Sequence, residues 1–289
     1  MDGKLHLRHG TTAEGAFSLR VTPEQAGWAF SGLRVLELAA GGSQVLHSGA
    51  EELLVLPLHG SCVVECGSRR FELAGRDDVF ARVTDFAYLP MDAEARVSSA
   101  GGGRFALPSA LAGRRLDPAY GAAEDVAVEL RGAGQASRQV NNFCAPEAFE
   151  ADRLIAVEVL TPGGNWSSYP PHKHDEQREG ETILEEIYYF EVAGGGPGYQ
   201  RVYSSGPDRQ IDVCAEVRAG DVVLVPYGYH GPSMAAPGYD LYYLNVMAGP
   251  AEERAWRFCD DPAHAWIRGT WEGQAIDGRL PITGPGGGA

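Results

Sequence analysis

The stretch Trp166-Ser-Ser-Tyr-Pro-Pro-His172-Lys-His174-Asp175 decides how the rest of the sequence is interpreted. Side chains alternate faces along an extended strand, so His172 and His174 point the same way and their ring nitrogens can converge on one ion. Lys173 between them is predicted to face away from that ion. A His-x-His pair alone is more often incidental than a ligand pair, so further donors are needed to support a site.

Two later segments supply such donors. Residues 184–190, Leu-Glu-Glu-Ile-Tyr-Tyr-Phe, are predicted to form a strand that presents one carboxylate, from Glu185 or Glu186, to the same point. The segment Pro226-Tyr-Gly-Tyr-His230 places a third histidine just after a tight turn. Three imidazoles and a carboxylate, with coordination positions left open, are typical of a catalytic metal site rather than a closed structural one.

Composition favours an ordinary globular protein that consists mainly of strands. Among 289 residues, 44% are hydrophobic and 22% charged, and the 38 glycines and 18 prolines separate short apolar runs. This distribution predicts many turns and an all-β architecture. The net charge of −15 comes without a Lys/Arg-rich block, which argues against nucleic-acid and anionic-membrane partners. A small anionic substrate remains compatible, because a local cation can reverse the potential in a pocket.

The sequence also predicts a cytoplasmic protein. No apolar run approaches the roughly 18–20 residues that span a bilayer, and the first residues lack the basic-then-apolar order of a signal peptide. The five cysteines are an odd number without metal-finger spacing, which favours reduced thiols.

Short apolar runs predict strands along both halves of the chain. The predicted strands are 33–38, 52–58, 61–65, 70–73, 86–89 and 95–98, then 155–160, 167–174, 182–190, 198–202, 221–225 and 240–246. Strands at this spacing with short turns are typical of a sandwich or barrel. Helix is predicted only as a short turn capped by Thr22 with Pro23 first, and as a turn or two within 251–258. The Gly/Pro-rich tail from 282 is expected to fray.

The two halves share this alternation of short strands and turns, but only the second half contains the candidate metal donors. We therefore predict one domain at 1–130 and a second at 131–289, with residues of about 116–136 as the connector. Isolated histidines such as His47 and His59 in the first half are expected to be surface or core residues. The first half is predicted to be a structural copy without metal.

Several long motifs resemble one known family. The segment from Glu158 to Asp175 is similar to the signature of the 5-deoxy-glucuronate isomerases, which are bicupin enzymes of bacterial inositol catabolism. The resemblance runs from about residue 18 to 267. It also rests on segments 21–28, 131–138, 184–189, 200–203, 220–226, 238–250 and 261–267.

The resemblance implies two cupin barrels, which are double-stranded β-helices or jelly rolls, with the metal in the second. The family is similar to the 4-deoxy-5-hexosulose-uronate ketol-isomerases, whose barrel metal sits on His-x-His, a Glu and a later His. Carried onto this chain, the implied ligands are His172, His174, Glu186 and His230. Glu185 is expected on the opposite face of the strand. The implied ion is divalent, with zinc first and manganese or iron as alternatives.

The implied reaction is an aldose–ketose isomerisation of 5-deoxy-D-glucuronate to 2-deoxy-5-keto-D-gluconate. The metal would stabilise an enediolate while a base moves a proton between adjacent carbons. Candidate catalytic residues, all in the second half, are Asp175, Glu158, Tyr229 and Tyr243. For the substrate carboxylate, Arg201 is the predicted bidentate partner.

Three other possibilities stay open at this point. The chain could be a different metal-dependent cupin enzyme, either a uronate ketol-isomerase or an iron dioxygenase with the same three-His, one-Glu set. It could also be a non-catalytic sugar-acid-binding cupin. Homo-oligomer formation is compatible with the sequence, and the turns at 193–199 and 204–209 depart from the family pattern, which leaves substrate range open.

Overall fold

The computed structural model describes residues 5–284. Strands dominate this part of the chain, as predicted. The strands are β1 (His6–Leu7), β2 (Phe17–Val21), β3 (Ser31–Leu38), β4 (Gly42–His47), β5 (Glu51–Cys66), β6 (Arg69–Arg76), β7 (Phe86–Leu89), β8 (Glu94–Ser99), β9 (Gly103–Leu111), β10 (Ala119–Gly121), β11 (Ala127–Arg131), β12 (Arg138–Cys144), β13 (Ile155–Thr161), β14 (Trp166–Ser167), β15 (His172–Lys173), β16 (Glu185–Val192), β17 (Gly198–Tyr203), β18 (Asp212–Val217), β19 (Val222–Val225), β20 (Tyr229–Ala235), β21 (Leu241–Ala248) and β22 (Cys259–Asp260).

Helical structure is limited to short pieces. Helix α1 (Pro23–Ala26) begins at Thr22, whose side chain accepts a hydrogen bond from the Gln25 N–H, so the predicted cap is confirmed. Short 3₁₀ segments lie at Ala123–Asp125, Gly134–Ala136, Ala193–Gly195 and Ala265–Gly273. No helix in the described part of the chain is long and apolar enough to cross a membrane.

Sheet pairing groups the strands into two barrels. Strands β2–β10 form one nine-stranded sheet in which β5 pairs with β6, β7, β8 and β9. In the second barrel, a seven-stranded sheet has the order β1-β19-β16-β21-β13-β12-β11, and a six-stranded sheet contains β14, β15, β17, β18, β20 and β22. The predicted boundary after residue 130 falls inside β11, which pairs with β12 of the second barrel. β1 also pairs into that barrel, on β19.

The longest strand differs most from its prediction. Segments 52–58 and 61–65 are not separate strands, because β5 continues through both of them for 16 residues. Its register against β9 shifts between Pro57 and His59, and Gly60 follows with φ of +84°. A Cβ at Gly60 would lie 2.5 Å from the Gly102 carbonyl oxygen, so glycine permits the bend by which one strand serves both sides of the first barrel.

Two predictions near the C-terminus are corrected. Residues 251–258 are irregular rather than helical. The predicted frayed tail is still ordered at Thr283, which is buried and accepts a hydrogen bond from the Gln139 amide at 2.9 Å. Residues 285–289 of that prediction lie outside the described residues.

The two barrels pack on each other through an apolar layer, because their central strands are buried on both faces. On β16, Ile187 and Tyr189 enter the core between the barrels, while Tyr188 and Phe190 fill the second barrel. On β5, Leu54, Leu56 and Leu58 enter the shared core, while Leu53 and Val55 fill the interior of the first barrel. Strands of this kind have near-continuous apolar sequences.

Carboxylates connect the barrels reciprocally across this layer. Glu52 of the first barrel accepts backbone N–H bonds from residues 152–154 at 2.6–2.8 Å. Glu185 of the second barrel accepts them from residues 29–31 at 2.8–2.9 Å. Glu185 therefore supports the junction between barrels and, as predicted, does not face the metal-binding candidates.

Candidate metal centre and active site

A cluster of three side chains that could hold a metal ion lies inside the second barrel. His174, Glu186 and His230 each offer a donor atom within 4.8 Å of the others, and all three are buried. The Glu186 Oε2 atom lies 3.0 Å from His174 Nε2 and 2.9 Å from His230 Nε2. Strand alternation explains this convergence, since Glu186 points into the barrel while Glu185 points to its junction.

Backbone carbonyls fix the orientation of these imidazoles. The Nδ1 of His174 lies 3.0 Å from the Leu184 carbonyl oxygen, and that of His230 lies 3.2 Å from the Gly228 carbonyl oxygen. When Nδ1–H donates to a carbonyl, Nε2 is the atom available to a metal. Both Nε2 atoms face Glu186.

His172 lies beside this cluster rather than within the tight group. Its ring centroid is 4.5 Å from that of His230 and 6.3 Å from that of His174. His172 and His230 are register partners on β15 and β20, and the His172 Nδ1 lies 3.4 Å from the Pro170 carbonyl oxygen. The structure thus brings three of the four predicted ligands close together and places the fourth next to them.

Burial and neighbouring charges together set the pKa values of these groups. Burial, reinforced by His230 and His174, holds the pKa of His172 well below its usual range. Burial would also lower the pKa of His174, but the Glu186 carboxylate outweighs it and raises that pKa. Burial opposes ionisation of Glu186, yet the neighbouring histidines hold its pKa below the usual value. The carboxylate is therefore ionised and available as a ligand.

The donor set fits a divalent metal ion. The His230 Nε2 is fully buried and has no hydrogen-bond partner among residues 5–284, because its approach to Glu186 lacks hydrogen-bond geometry. A buried nitrogen without a partner costs about 1–3 kcal/mol unless a ligand satisfies it. Donor atoms bound to one ion at about 2.0–2.2 Å lie about 3 Å from each other, which is how far the Glu186 Oε2 lies from each histidine nitrogen.

A cavity of about 360 Å³ opens onto this cluster. Its size lies within the range of about 300–1,000 Å³ that is usual for small-molecule sites. His172 and Glu186 line it, together with Glu129, Arg131, Arg138, Val140, Val159, Ser168, Tyr188, Tyr243, Asn245, Trp256, Phe258 and Arg268.

Tyr243 is the one predicted catalytic residue that lines this cavity. The Tyr243 and Tyr188 hydroxyls each lie 3.0 Å from the Ser168 hydroxyl oxygen. Burial raises the pKa of both tyrosines, so both phenols stay protonated and can donate hydrogen bonds. Ser168 has a left-handed backbone, with φ of +46°, which is uncommon for a residue other than glycine and is often found at functional sites.

The other three predicted catalytic residues lie elsewhere. Asp175 faces away from the cluster and binds Lys173 Nζ at 2.6 Å and the Gly228 N–H at 2.9 Å. Tyr229 alternates with His230 and packs on Tyr203, with ring centroids 5.6 Å apart. Strand alternation therefore turns both residues out of the cavity.

Glu158 is corrected most clearly, because it faces the first barrel. Its carboxylate forms an ion pair with Arg76 and accepts hydrogen bonds from Asn141 Nδ2 at 3.0 Å and the Tyr242 hydroxyl at 2.9 Å. These partners leave Glu158 buried in the junction between the barrels rather than beside a substrate.

Arg201 also lies outside the cavity. It pairs with Asp212 and donates to the carbonyl oxygens of Val202 and Val213. Its neighbour Val202, by contrast, is buried in the core of the second barrel. Because neighbouring residues of a strand face opposite sides, Arg201 points out of the barrel and cannot bind a carboxylate in the cavity.

Sequence reasoning missed the arginines that do line the cavity. Arg138 begins β12, Arg131 ends β11, and Arg268 comes from the C-terminal 3₁₀ segment. Arg131 and Arg138 face each other across two antiparallel strands. The motif 131–138 contained the signal, since it has arginines at both ends, but only the strand register brings them together.

The sequence is similar to known proteins along most of its length. The model of the KduI/IolB family matches residues 5–267. The chain belongs to this family. The 5-deoxy-glucuronate isomerase of Geobacillus kaustophilus is 43% identical over 273 residues, covering 90% of this chain and 93% of that protein. The enzyme of the same name from Bacillus subtilis strain 168 is 39% identical over 251 residues, covering 86% and 91%.

Solved structures of other proteins share the fold of this family member. An IolB-like protein from Salmonella typhimurium LT2 has a TM-score of 0.84 at 38% identity, covering 91% of this chain and 98% of that chain. Lactobacillus farciminis oxalate decarboxylase has a TM-score of 0.63 at 14% identity, covering 89% and 88%, and shares the fold alone. The predicted bicupin architecture is confirmed.

Proposed function

We propose that this protein interconverts 5-deoxy-D-glucuronate and 2-deoxy-5-keto-D-gluconate, as an isomerase of inositol catabolism. The observation that carries the proposal is the buried His174, Glu186 and His230 cluster, which opens to a cavity in a chain related to 5-deoxy-glucuronate isomerases along most of its length. The partner is accordingly a small anionic sugar acid. A cytoplasmic location and self-association stay predictions from the sequence.

The metal is part of the proposal. His174, Glu186 and His230 would hold a divalent ion, with His172 as the fourth ligand, and zinc is proposed before manganese or iron. A bound ion would supply Lewis-acid polarisation of the sugar carbonyl. Hydrogen bonds from the Nδ1 atoms of His174 and His230 to backbone carbonyl oxygens would keep their Nε2 atoms directed at the ion. The buried position of the cluster limits competition from water.

The chain's own hydroxyl groups are proposed to handle the substrate oxygens. Ser168 bridges the Tyr188 and Tyr243 hydroxyls, so a proton can pass along three groups without a rearrangement of the backbone. Because burial keeps both phenols neutral, they are suited to donate to an oxygen on which negative charge develops. Neutral phenols donate hydrogen bonds rather than abstract protons, so this group serves the substrate oxygens and does not replace the general base that accepts the proton from carbon.

Metal removal tests the proposed function directly. Purified protein is expected to contain about one divalent ion per chain and to form the ketose from 5-deoxy-D-glucuronate, followed by NMR. Chelation should abolish ketose formation, and adding the metal back should restore it, since the ion would supply the Lewis-acid polarisation of the carbonyl. Active protein that contains no metal would contradict the mechanism. Metal-dependent oxygen uptake without ketose would indicate a dioxygenase instead.

Removing one phenol should slow turnover without releasing the metal. Tyr243→Phe is expected to lower kcat about 100-fold, the usual loss when one donor to a developing oxyanion is removed. Tyr229→Phe is the matched control, because this tyrosine faces away from the cavity, and it should retain wild-type kcat. Steady-state kinetics and metal analysis of both variants show whether kcat falls while the metal is retained. Equal activity in the two would remove Tyr243 from the mechanism.

A further inference from the structure

The cavity contains a buried arginine without an acidic partner. Arg138 is 6% exposed, and its guanidinium donates only to the carbonyl oxygens of Ala136 at 3.1 Å and Tyr169 at 3.4 Å, both through Nη1. Among residues 5–284 no carboxylate lies within salt-bridge distance of it, and its Nε and Nη2 donate no hydrogen bond. A guanidinium offers five N–H donors in a planar fork, so most of this fork is available to a ligand.

The neighbouring arginines do not share this feature. Arg131 binds the Glu129 carboxylate at 2.7 Å, and Arg268 binds Asp260 at 2.7 Å through Nη2. Of the three arginines that line the cavity, two are therefore paired with a carboxylate in the described part of the chain and Arg138 is not. In a chain with a net charge of −15, one uncompensated buried cation is a specific feature rather than a general property of the surface.

An aromatic ring holds the guanidinium in place. The Trp271 ring lies 5.8 Å from the Arg138 guanidinium carbon and 5.3 Å from that of Arg268. Contact with an aromatic face favours a defined guanidinium plane at little cost in hydrogen bonding. The arginine fork is thus preorganised before a ligand arrives.

A second buried group in the same cavity also lacks a partner. The Asn245 Nδ2 is buried without any hydrogen-bond partner in the described part of the protein, and Asn245 lines the cavity on β21, where it is the register partner of Tyr188. Burial, helped by the charges of Arg131 and Arg268, lowers the pKa of Arg138 to about 10, so the guanidinium stays charged at neutral pH. Both groups are donors that face the same space.

We propose that Arg138 binds the carboxylate of the sugar acid through its free Nε and Nη2 donors, with the reacting carbonyl end directed to the His174–Glu186–His230 cluster. This inference rests on the proposed function and names the residue that selects an acid over a neutral sugar. Arg138 is a substrate-positioning residue in this scheme. It replaces Arg201, whose guanidinium is occupied on the outside of the barrel.

Direct binding tests the assignment without turnover. D-Glucuronate and D-glucose differ at one carbon by the carboxylate, and their affinities can be measured by calorimetry on the purified protein. The wild type is expected to prefer D-glucuronate, and Arg138→Met should reduce its affinity about 10- to 100-fold, as for loss of charge-assisted hydrogen bonds, while glucose binding is unchanged. Arg201→Met is the matched control and should retain the preference.

Kinetics adds a second readout. For 5-deoxy-D-glucuronate, Arg138→Met should raise KM about 10- to 100-fold with a smaller fall in kcat, because the carboxylate is bound in both the ground state and the transition state. Arg138→Lys keeps the charge but not the fork, and an intermediate KM is expected. Thermal unfolding and metal content show whether each variant is folded. If Arg138→Met does not fold, the KM of Arg138→Lys decides the outcome.

Several outcomes would overturn the assignment. An unchanged preference for D-glucuronate in folded Arg138→Met, or no preference in the wild type, would exclude a carboxylate at Arg138. Inorganic phosphate that binds more tightly than D-glucuronate in an Arg138-dependent way would identify a phosphate site instead. The absence of ketose formation by the wild type would refute the proposed function, and the binding experiment would still give a separate answer for Arg138.

Discussion

Glu186→Gln is expected to lose its metal, while Glu185→Gln keeps it. The two carboxylates are adjacent in sequence, but only Glu186 faces the His174 and His230 nitrogens. A neutral amide is a weaker ligand than a buried carboxylate, so we expect metal affinity to fall by more than about 100-fold. Turnover should fall by about 10²–10⁴-fold, which corresponds to loss of several kcal/mol of Lewis-acid stabilisation.

Glu185→Gln should have the opposite pattern of effects. Glu185 accepts three backbone N–H bonds from the first barrel, and the amide that replaces one carboxylate oxygen would leave at least one donor without an acceptor. We expect a loss of about 2–3 kcal/mol in the free energy of unfolding. Metal content and kcat of the folded variant should match those of the wild type.

Metal analysis, steady-state kinetics and thermal unfolding of the two variants form one experiment. Each variant is the control of the other, because both remove one negative charge from adjacent positions of β16. Loss of metal from Glu185→Gln with retention in Glu186→Gln would reverse the ligand assignment. Retention in both would mean that the carboxylate is not needed to hold the ion.

The candidate cluster could be predicted because its signal is local. The spacing of His172 and His174, the paired glutamates and the late His230 all depend on strand alternation over a few residues, which the structure preserves. The same alternation predicts that Glu185 and Glu186 face opposite sides of β16, while the choice of Glu186 as the ligand came from the family resemblance. The pattern is strong because a metal site requires several donors of few residue types.

The residues around the substrate could not be predicted in this way. Every residue of β13 is buried, so the sequence does not show that Glu158 faces the first barrel rather than the cavity. Arg138 and Trp271 are more than 130 positions apart in sequence and come together only in the folded chain. Lys173 faces away from the histidine cluster, as alternation predicts, but its burial with Asp175 and Glu181 depends on a loop whose path the sequence does not specify.

The junction between the barrels also depends on one buried ion pair, and its loss should destabilise the fold more than any change at the surface. The Arg76 side chain is fully buried, pairs with Glu158 and donates to the Pro57 carbonyl oxygen at 2.9 Å. Burial opposes the charge, but Glu158 and Tyr242 outweigh it and raise the pKa of Arg76. Arg76→Met would leave the Glu158 carboxylate buried without its cation.

We expect Arg76→Met to lower the free energy of unfolding by about 3–5 kcal/mol, the usual cost of breaking a buried ion pair on one side. The melting temperature should fall by roughly 10 °C. The double variant Arg76→Met/Glu158→Leu should recover much of this loss, since it removes the uncompensated charge and replaces the pair with apolar groups. Denaturant or thermal unfolding of the single and double variants measures the coupling.

The same double variant separates structure from catalysis at Glu158. Its carboxylate is held by Arg76, Asn141 and Tyr242 at the junction, so the folded double variant should keep the metal content and kcat of the wild type. If kcat fell about 100-fold or more at full metal occupancy, Glu158 would act as a general base after all. Recovery of stability with retained turnover would assign Glu158 to the junction alone, because the two properties would then respond to different features of one side chain.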